Sequence, residues 1–370
     1  MSTPDEDIFQ ISGTMDFFGR LICGNPGVWR GIGNFETAML RDELDDTPIN
    51  KPVYVTGLAR SGSTILLEML AGLQSTVSHC YKDFPPIYTP YAWNWLVDKA
   101  GPKEARAAER AHRDGIMVTA DSPEAMEEVL WMAFFENVHN PVTSNVLDGA
   151  TDNPKFEQFY REHIQKLLLV RGGDRYISKG NYQVTRLEYL LKIFPDARFV
   201  IPVRRPEAHI ASLIKQHKLF SRGQQANQQA REHLRRVGHF EFGLDRRPIN
   251  VGTEDRSSEI VALWQHGEEL AGWAIYWAQI YDHLAGLLEQ SPAVREASIL
   301  IRYEDLCENP GEILGAMFRH CDLDIKDKQL TAVAERISAP TYYSANFTDA
   351  EQALIDKETR DTVTRLGYPD

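Results

Sequence analysis

The chain has 370 residues and a hydrophobic fraction of 43%, enough for one large α/β domain or two smaller ones with a sizeable core. Its formal net charge of -13 excludes a general nucleic-acid or anionic-membrane binder, because such partners reward a basic face. Any anion site must therefore be local.

The acidic N-terminus, "MSTPDEDIFQ", lacks a basic stretch followed by an apolar one, so no secretory signal is visible. No apolar run reaches membrane-spanning length. Cys23, Cys80, Cys307 and Cys321 are scattered, without metal-ligand or disulfide-framework spacing. These features read as a soluble, cytoplasmic protein.

In chain order, residues 1–50 carry mixed polarity and turn signals, and read as an N-terminal helical segment. "KPVYVT" then opens a strand, "GLARSGST" (57–64) follows as a glycine-bracketed loop, and Ile65, Leu66, Met69, Leu70 and Leu73 form the apolar stripe of a helix. Residues 122–139 read as helical, with Trp131 and Phe134 on a packed face. "RYISK" (175–179), "ARFVIPV" (197–203) and "SILIRY" (298–303) are further strands, each followed by an amphipathic pattern. Residues 221–256 are polar, glutamine- and arginine-rich, and read as a mobile excursion; their seven arginines face five acids. Residues 259–290 read as helical, with Trp264, Trp273 and Trp277 as packing residues. Short apolar strands alternating with helices predict an α/β fold with a parallel central sheet flanked by helices, and ligands beyond the carboxyl ends of its strands. With no internal repeat, the chain reads as one domain (1–370) with a core over 52–320.

The loop has the spacing of a phosphate-binding P-loop, G-x-x-x-x-G-K-[ST], but Ser63 stands where lysine belongs. Backbone N–H groups of Ser61, Gly62, Ser63 and Thr64 would converge with the helix dipole on an anion, with Arg60 adding a cationic fork. A second element is "VRRPEAHIAS": Arg204 at a strand end and Ser212 eight residues on, slightly more than two helical turns. Alone, that pair equally describes a sheet-capping arginine and a solvent-facing serine.

Together the two elements resemble the sulfotransferases that use 3′-phosphoadenosine 5′-phosphosulfate (PAPS). That family has a 5′-phosphosulfate loop of the type P-[RK]-[ST]-G-[ST]-[ST], matched here by "ARSGST" with Ala59 in place of the frequent proline. Its 3′-phosphate motif is a strand-end arginine followed eight residues later by a serine, matched by Arg204 and Ser212. "FPDARFVIPVRRP" and "ILIRYEDLCENP" resemble the family's later strands, so the likeness spans about residues 52–320, closest to the broad branch including bacterial enzymes. It implies a P-loop NTPase-like fold with helical insertions, and PAPS as co-substrate without a metal. It also implies in-line sulfuryl transfer to a hydroxyl-bearing acceptor, whether small molecule, lipid or glycan. It accounts for the missing lysine too: a 5′-phosphosulfate carries less charge than the β- and γ-phosphates that a P-loop lysine and magnesium hold.

Such chemistry needs a base for the acceptor proton. The resemblance points first to Asp83, placed where carboxylate-using branches carry a glutamate, then to Glu128 and Glu127 in "DSPEAMEE", with His79 as a fourth candidate. Lys179 resembles the lysine of the family's central K-[ST]-P segment and would bridge the transferring group. Thr341 and Tyr342 are loose candidates for nucleotide contacts. A nucleotide kinase or NTPase with a degenerate loop is the competing enzyme class, with Asp305 as its metal-binding candidate, and a non-catalytic nucleotide-binding protein is the third reading. The oligomeric state, a homo-oligomer included, is left open.

Overall fold

A computed structural model describes residues 9–99, 107–113, 115–252, 256–337 and 346–368; Thr341 and Tyr342 lie outside them. Among the described residues, seven strands follow in chain order: β1 (Val53–Val55), β2 (Thr76–Val77), β3 (Ala108–Glu109), β4 (Met117–Val118), β5 (Arg175–Lys179), β6 (Arg198–Val203) and β7 (Ser298–Arg302). Five form a parallel sheet in the order β2-β5-β1-β6-β7, while β3 and β4 pair antiparallel. The α/β parallel sheet flanked by helices expected from the sequence is the architecture found. The four strands legible in the sequence, β5, β1, β6 and β7, are consecutive in it. Of the five described, β2 at one edge escaped, because two residues show no alternation.

Both faces of the sheet are covered, which is why its strands read as continuous apolar runs. Successive side chains point to opposite faces: Val53 and Val55 join Ile177, Val200 and Ile301 under the helix Ser63–Ala71 and Phe318. Tyr54, Tyr176, Phe199 and Ile201 face a larger cluster containing Trp131, Trp273 and Trp277. These tryptophans are core residues, and Trp264 packs with them at 8% exposure.

Two predicted segments differ. Residues 122–139 hold only one short helix, Glu128–Phe134. Before it the chain is extended against the segment after β2: Tyr81 N–H donates to the Ser122 carbonyl at 3.2 Å and Glu124 N–H to the His79 carbonyl at 2.9 Å. This pairing, with a bridge between Cys80 and Pro123, takes the backbone donors that a helix would use. Residues 221–252 are packed rather than an excursion: the helix Pro206–Ala226 runs into Gln228–Arg236, and Phe242 and Ile249 are 0% and 3% exposed. Their polarity serves ion pairs, since Arg231 and Arg235 both reach Asp245.

Candidate active site

In the order β5-β1-β6-β7 the carboxyl ends lie side by side, and they deliver Lys179, the 57–62 loop, Arg204 and Tyr303 to one edge. This is the topological position at which open α/β sheets bind ligands. The loop's glycines are required there. A Cβ on Gly57 would stand 2.8 Å from the Pro202 carbonyl oxygen; one on Gly62, whose φ is 102°, would stand 2.8 Å from the Tyr303 ring. Arg60 holds φ 73° without being glycine, a sparsely populated conformation that clusters at ligand sites.

The two predicted anion elements touch. Arg60 Nε donates to Ser212 Oγ at 3.3 Å, with Ser212 buried on the helix Pro206–Ala226. The same helix is pinned to the loop by His209, whose Nε2–H donates to the Ala59 carbonyl at 2.8 Å while its Nδ1 accepts from Trp277 Nε1–H at 3.1 Å. Burial, with Arg204 and Arg60 nearby, pushes His209 down to about 3 despite the Ala59 bond; the neutral ring is the form that fits these partners. Arg204 is 7% exposed, and its guanidinium stacks 4.9 Å from the Tyr303 ring centroid.

Arg60, Ser63, Thr64 and Lys179 also line a cavity of about 400 Å³ that contains Glu124, Glu127, Glu128, Arg110, His112 and Glu241. Arg204 and Ser212 are not in its wall, so the loop divides the cavity from the Arg204 side. Arg110 Nη1 donates to Thr64 Oγ1 at 3.1 Å. Burial pushes the Lys179 ammonium below the usual lysine range, opposed by Glu124 and Glu241 and assisted by Arg110 and Arg60.

The predicted bases fare differently. Asp83 is 1% exposed, does not line the cavity, and is saturated: it accepts from Arg171 Nη2 at 2.6 Å, Cys80 N–H at 2.9 Å and Asn94 Nδ2 at 3.1 Å, with His79 Nδ1 at 3.1 Å. Asp83, ranked first as base from the sequence, thus lies outside the cavity wall with both its oxygens engaged. His79 goes with it, its Nε2 lying 3.0 Å from His163 Nε2. Glu128 is clamped by both Arg186 nitrogens at 2.9 and 2.7 Å, with His139 Nε2 at 2.8 Å. Glu127 accepts from Tyr160 Oη at 2.6 Å, Tyr176 Oη at 2.5 Å and Gln183 Nε2 at 2.8 Å. Both wall the cavity with their oxygens already occupied.

The carboxylate the sequence reading passed over is Glu124, three residues earlier in the same "SPEAMEE" string. It was passed over because the stretch read as the first turn of a helix. Extended, the chain turns Glu124 into the cavity, where burial raises its pKa but Lys179, Arg110 and a Tyr81 hydrogen bond lower it further, leaving it ionised. Arg110, His112 and Glu241 carried no motif at all.

Asp83→Asn tests its structural assignment. Burial raises the carboxyl's pKa, but His79, Arg171 and the Cys80 amide together depress it below its unfolded value near 3.9. Its stabilisation is thus present above about pH 4 and lost as pH falls through the depressed folded value. The variant should unfold about 1–3 kcal/mol more easily in urea at pH 7 and show a flatter acid limb. Unchanged stability with lost turnover would return Asp83 to the chemistry.

A family model described as the Sulfotransferase family matches residues 52–247, more than half of the chain. The chain belongs to the sulfotransferase family. It is accordingly a transferase, and its fold has counterparts among solved structures. Sulfotransferase STF9 from Mycobacterium avium is similar over 98% of this chain and 89% of that one, with TM-score 0.53 and 14% identity, a likeness of fold. Sulfotransferase STF1 from Mycobacterium tuberculosis H37Rv (90% and 81% covered, TM-score 0.46, 14% identity) and mouse sulfotransferase SULT7A1 complexed with PAP (87% and 87%, TM-score 0.36, 10% identity) also align with it. No curated protein matches this sulfotransferase. Among its described residues no helix is long and apolar enough to cross a membrane.

Proposed function

We propose that this sulfotransferase moves a sulfuryl group from PAPS to a hydroxyl of an acceptor held in the 400 Å³ cavity. The observation that carries the reading is the Arg60–Ser212 contact, which joins the loop to the Arg204 element and makes two anion sites one surface. A donor with a 5′-phosphosulfate and a 3′-phosphate has charge at both ends of such a surface, whereas ATP has none at the 3′ position.

The residues fit that donor. The loop's glycines keep Cβ atoms out of the cradle, the helix at Ser63 presents its N-terminus, and Arg60 faces both sides. PAPS supplies an activated sulfur whose bond to the phosphate oxygen breaks as the acceptor oxygen bonds to sulfur. Arg204 and Ser212 hold the 3′-phosphate in this reading, and Arg60 and the amides of Ser61, Gly62, Ser63 and Thr64 hold the 5′ end. Lys179 and Arg110 stabilise negative charge developing on the leaving oxygen. Glu124, ionised and beside Lys179, takes the acceptor proton. The products are a sulfate ester and 3′,5′-adenosine bisphosphate.

Calorimetry with 3′,5′-adenosine bisphosphate against ADP and magnesium-ATP decides the donor: tighter ATP binding would overturn the proposal in favour of a kinase or NTPase. Arg204→Ala should weaken bisphosphate binding by about 1.5–3 kcal/mol, the worth of hydrogen bonds to a charged group, and leave ADP binding within twofold. Equal weakening of both ligands would show that Arg204 does not read the 3′-phosphate.

A further inference from the structure

A surface helix ordinarily turns its apolar stripe to the core and its polar face to water. The helices Gly13–Cys23 and Pro26–Met39 largely reverse this. In the first, Asp16 and Gly19 are buried beside Ile22, and Asp16 is bound to Arg236 at 2.7 Å. In the second, the buried residues are Gly33, Glu36 and Thr37. Glu36 pairs with the buried Lys166 at 3.0 Å and accepts the Ala92 N–H at 2.7 Å. A Cβ on Gly33 would stand 2.6 Å from the Tyr88 carbonyl oxygen, so this face is fixed inward by close approach as well.

What the two helices leave in water is apolar. Phe17, Phe18 and Leu21 on the first and Val28, Ile32, Phe35 and Met39 on the second are 41% to 69% exposed, and no exposed residue of the second helix carries a charge. At about 150–250 Å² for a large side chain, those fractions amount to roughly 700–800 Å². The largest apolar patch of an ordinary monomer is about 300–600 Å², and a standard interface covers about 800 Å² per partner.

The spacing on the second helix names the partner. Val28, Ile32, Phe35 and Met39 are separated by four, three and four residues, a stripe of coiled-coil type that reads the same from either end. Two such helices laid antiparallel about a two-fold axis match Val28 with Met39 of the second copy, and Ile32 with Phe35, an isologous contact. Charge follows the same arrangement. Exposed Asp42, Glu43, Asp45 and Asp46 come directly after this helix, where Arg41 is taken by Glu162 at 3.4 Å. Toward its start stand Arg30, stacked 4.6 Å from the Phe134 ring, and Lys155, two residues after the Asn153 that bonds the Phe134 carbonyl. Antiparallel pairing brings the acids of each copy to the cationic end of the other. The same acidic run disfavours an anionic membrane as the occupant.

We propose that the exposed face of residues 17–39 is the interface of a homodimer, with the two Pro26–Met39 helices antiparallel across a two-fold axis. The contact is independent of the donor and of the acceptor. Met15, on the helix Gly13–Cys23, lines the 400 Å³ cavity, so the dimer also anchors a segment that walls that cavity.

Sedimentation equilibrium of the full chain at micromolar concentration should give twice the 42.1 kDa chain mass. Phe35→Glu should weaken the dimer at least about 100-fold, because it buries a charge at the centre of the contact, and should leave the far-ultraviolet circular dichroism unchanged, because the side chain is exposed in the single chain. Cysteine cross-linking reads the orientation. Val28 and Met39 are eleven residues apart, about 16 Å along a helix, too far for a disulfide within one chain or between like positions. Oxidising a mixture of Val28→Cys and Met39→Cys proteins after subunit exchange should therefore give a covalent dimer. Either protein alone should give no more than wild type with its four native cysteines. A monomeric wild type, a folded Phe35→Glu protein that stays dimeric, or cross-linking of a single variant in place of the mixture would overturn the proposal. A monomer that floats with phosphatidylcholine vesicles, and loses that flotation in Phe35→Glu, would overturn it in favour of a membrane on the same face.

Discussion

Glu124→Gln should lower kcat by about 10²–10⁴-fold, the usual worth of a positioned general base, while bisphosphate binding stays within twofold. Glutamine keeps the shape and still accepts the Ala125 N–H, which reaches Glu124 Oε1 at 2.6 Å, but it cannot receive a proton. The effect should therefore fall on turnover, measured by transfer of labelled sulfate from PAPS, and not on the melting temperature. Glu127→Gln provides the contrast. Its carboxylate is filled by Tyr160, Tyr176 and Gln183, so it should cost stability more than rate. A Glu124→Gln protein of normal turnover would eliminate Glu124 as the base and move the search to Glu241, the other carboxylate beside Lys179 in the cavity.

The second large effect is structural. Arg186 is fully buried, stacks 4.4 Å from the Trp131 ring and clamps Glu128 with two nitrogens. Arg186→Met would leave Glu128 with only His139, and breaking a buried pair from one side costs about 3–5 kcal/mol. Burial raises the Glu128 pKa, yet Arg186 and His139 outweigh it and hold it down to about 2. The clamp's stabilisation is accordingly full above the unfolded glutamate value near 4.3 and fades as pH drops toward 2. Urea unfolding at several pH values should show wild type losing stability across that window and Arg186→Met losing much less of what remains. Adding Glu128→Gln should recover a large part of the loss, since no buried charge is then stranded. Full stability in the single variant would mean that the clamp contributes nothing net.

Much of this was legible before folding. The strands at 53–55 and 198–203 are rich in valine, isoleucine and aromatic residues because both sheet faces are buried there, and a run of that kind needs no partner to be recognised; 175–179 and 298–302 keep shorter apolar stretches between polar ends. "GLARSGST" was readable as a candidate phosphate loop because backbone geometry, not side-chain chemistry, makes such a loop. Residues 122–127 were misread because Pro123 suits a helix start as well as an extended segment, and only the long-range pairing with residues 79–82 decides between them. That pairing is what exposes Glu124 to the cavity, so the proposed base was hidden by the same ambiguity. The surroundings of Asp83 were hidden for another reason: its Arg171 partner lies 88 positions away in sequence, and no local pattern announces such a bond. Residues 221–252 looked like surface because arginine and glutamine dominate, while their burial rests on the few aromatic and aliphatic anchors Phe240, Phe242 and Ile249.

The central place of β1 in the sheet has a consequence for how the chain is made. Val53 aligns with Ile177 on one side and Arg198 on the other, so the strand that carries the loop is translated long before either neighbour exists. At ribosomal rates of about 5–20 residues per second, β6 follows β1 by roughly 7–30 s. During that interval a segment destined for the dry centre of a sheet has two unpaired edges, the state most exposed to wrong pairing. β1 is only three residues long, and short strands are one means by which chains limit that hazard. The helix at 63–71 can shelter one face of it from the start, since it needs no residue beyond its own neighbourhood.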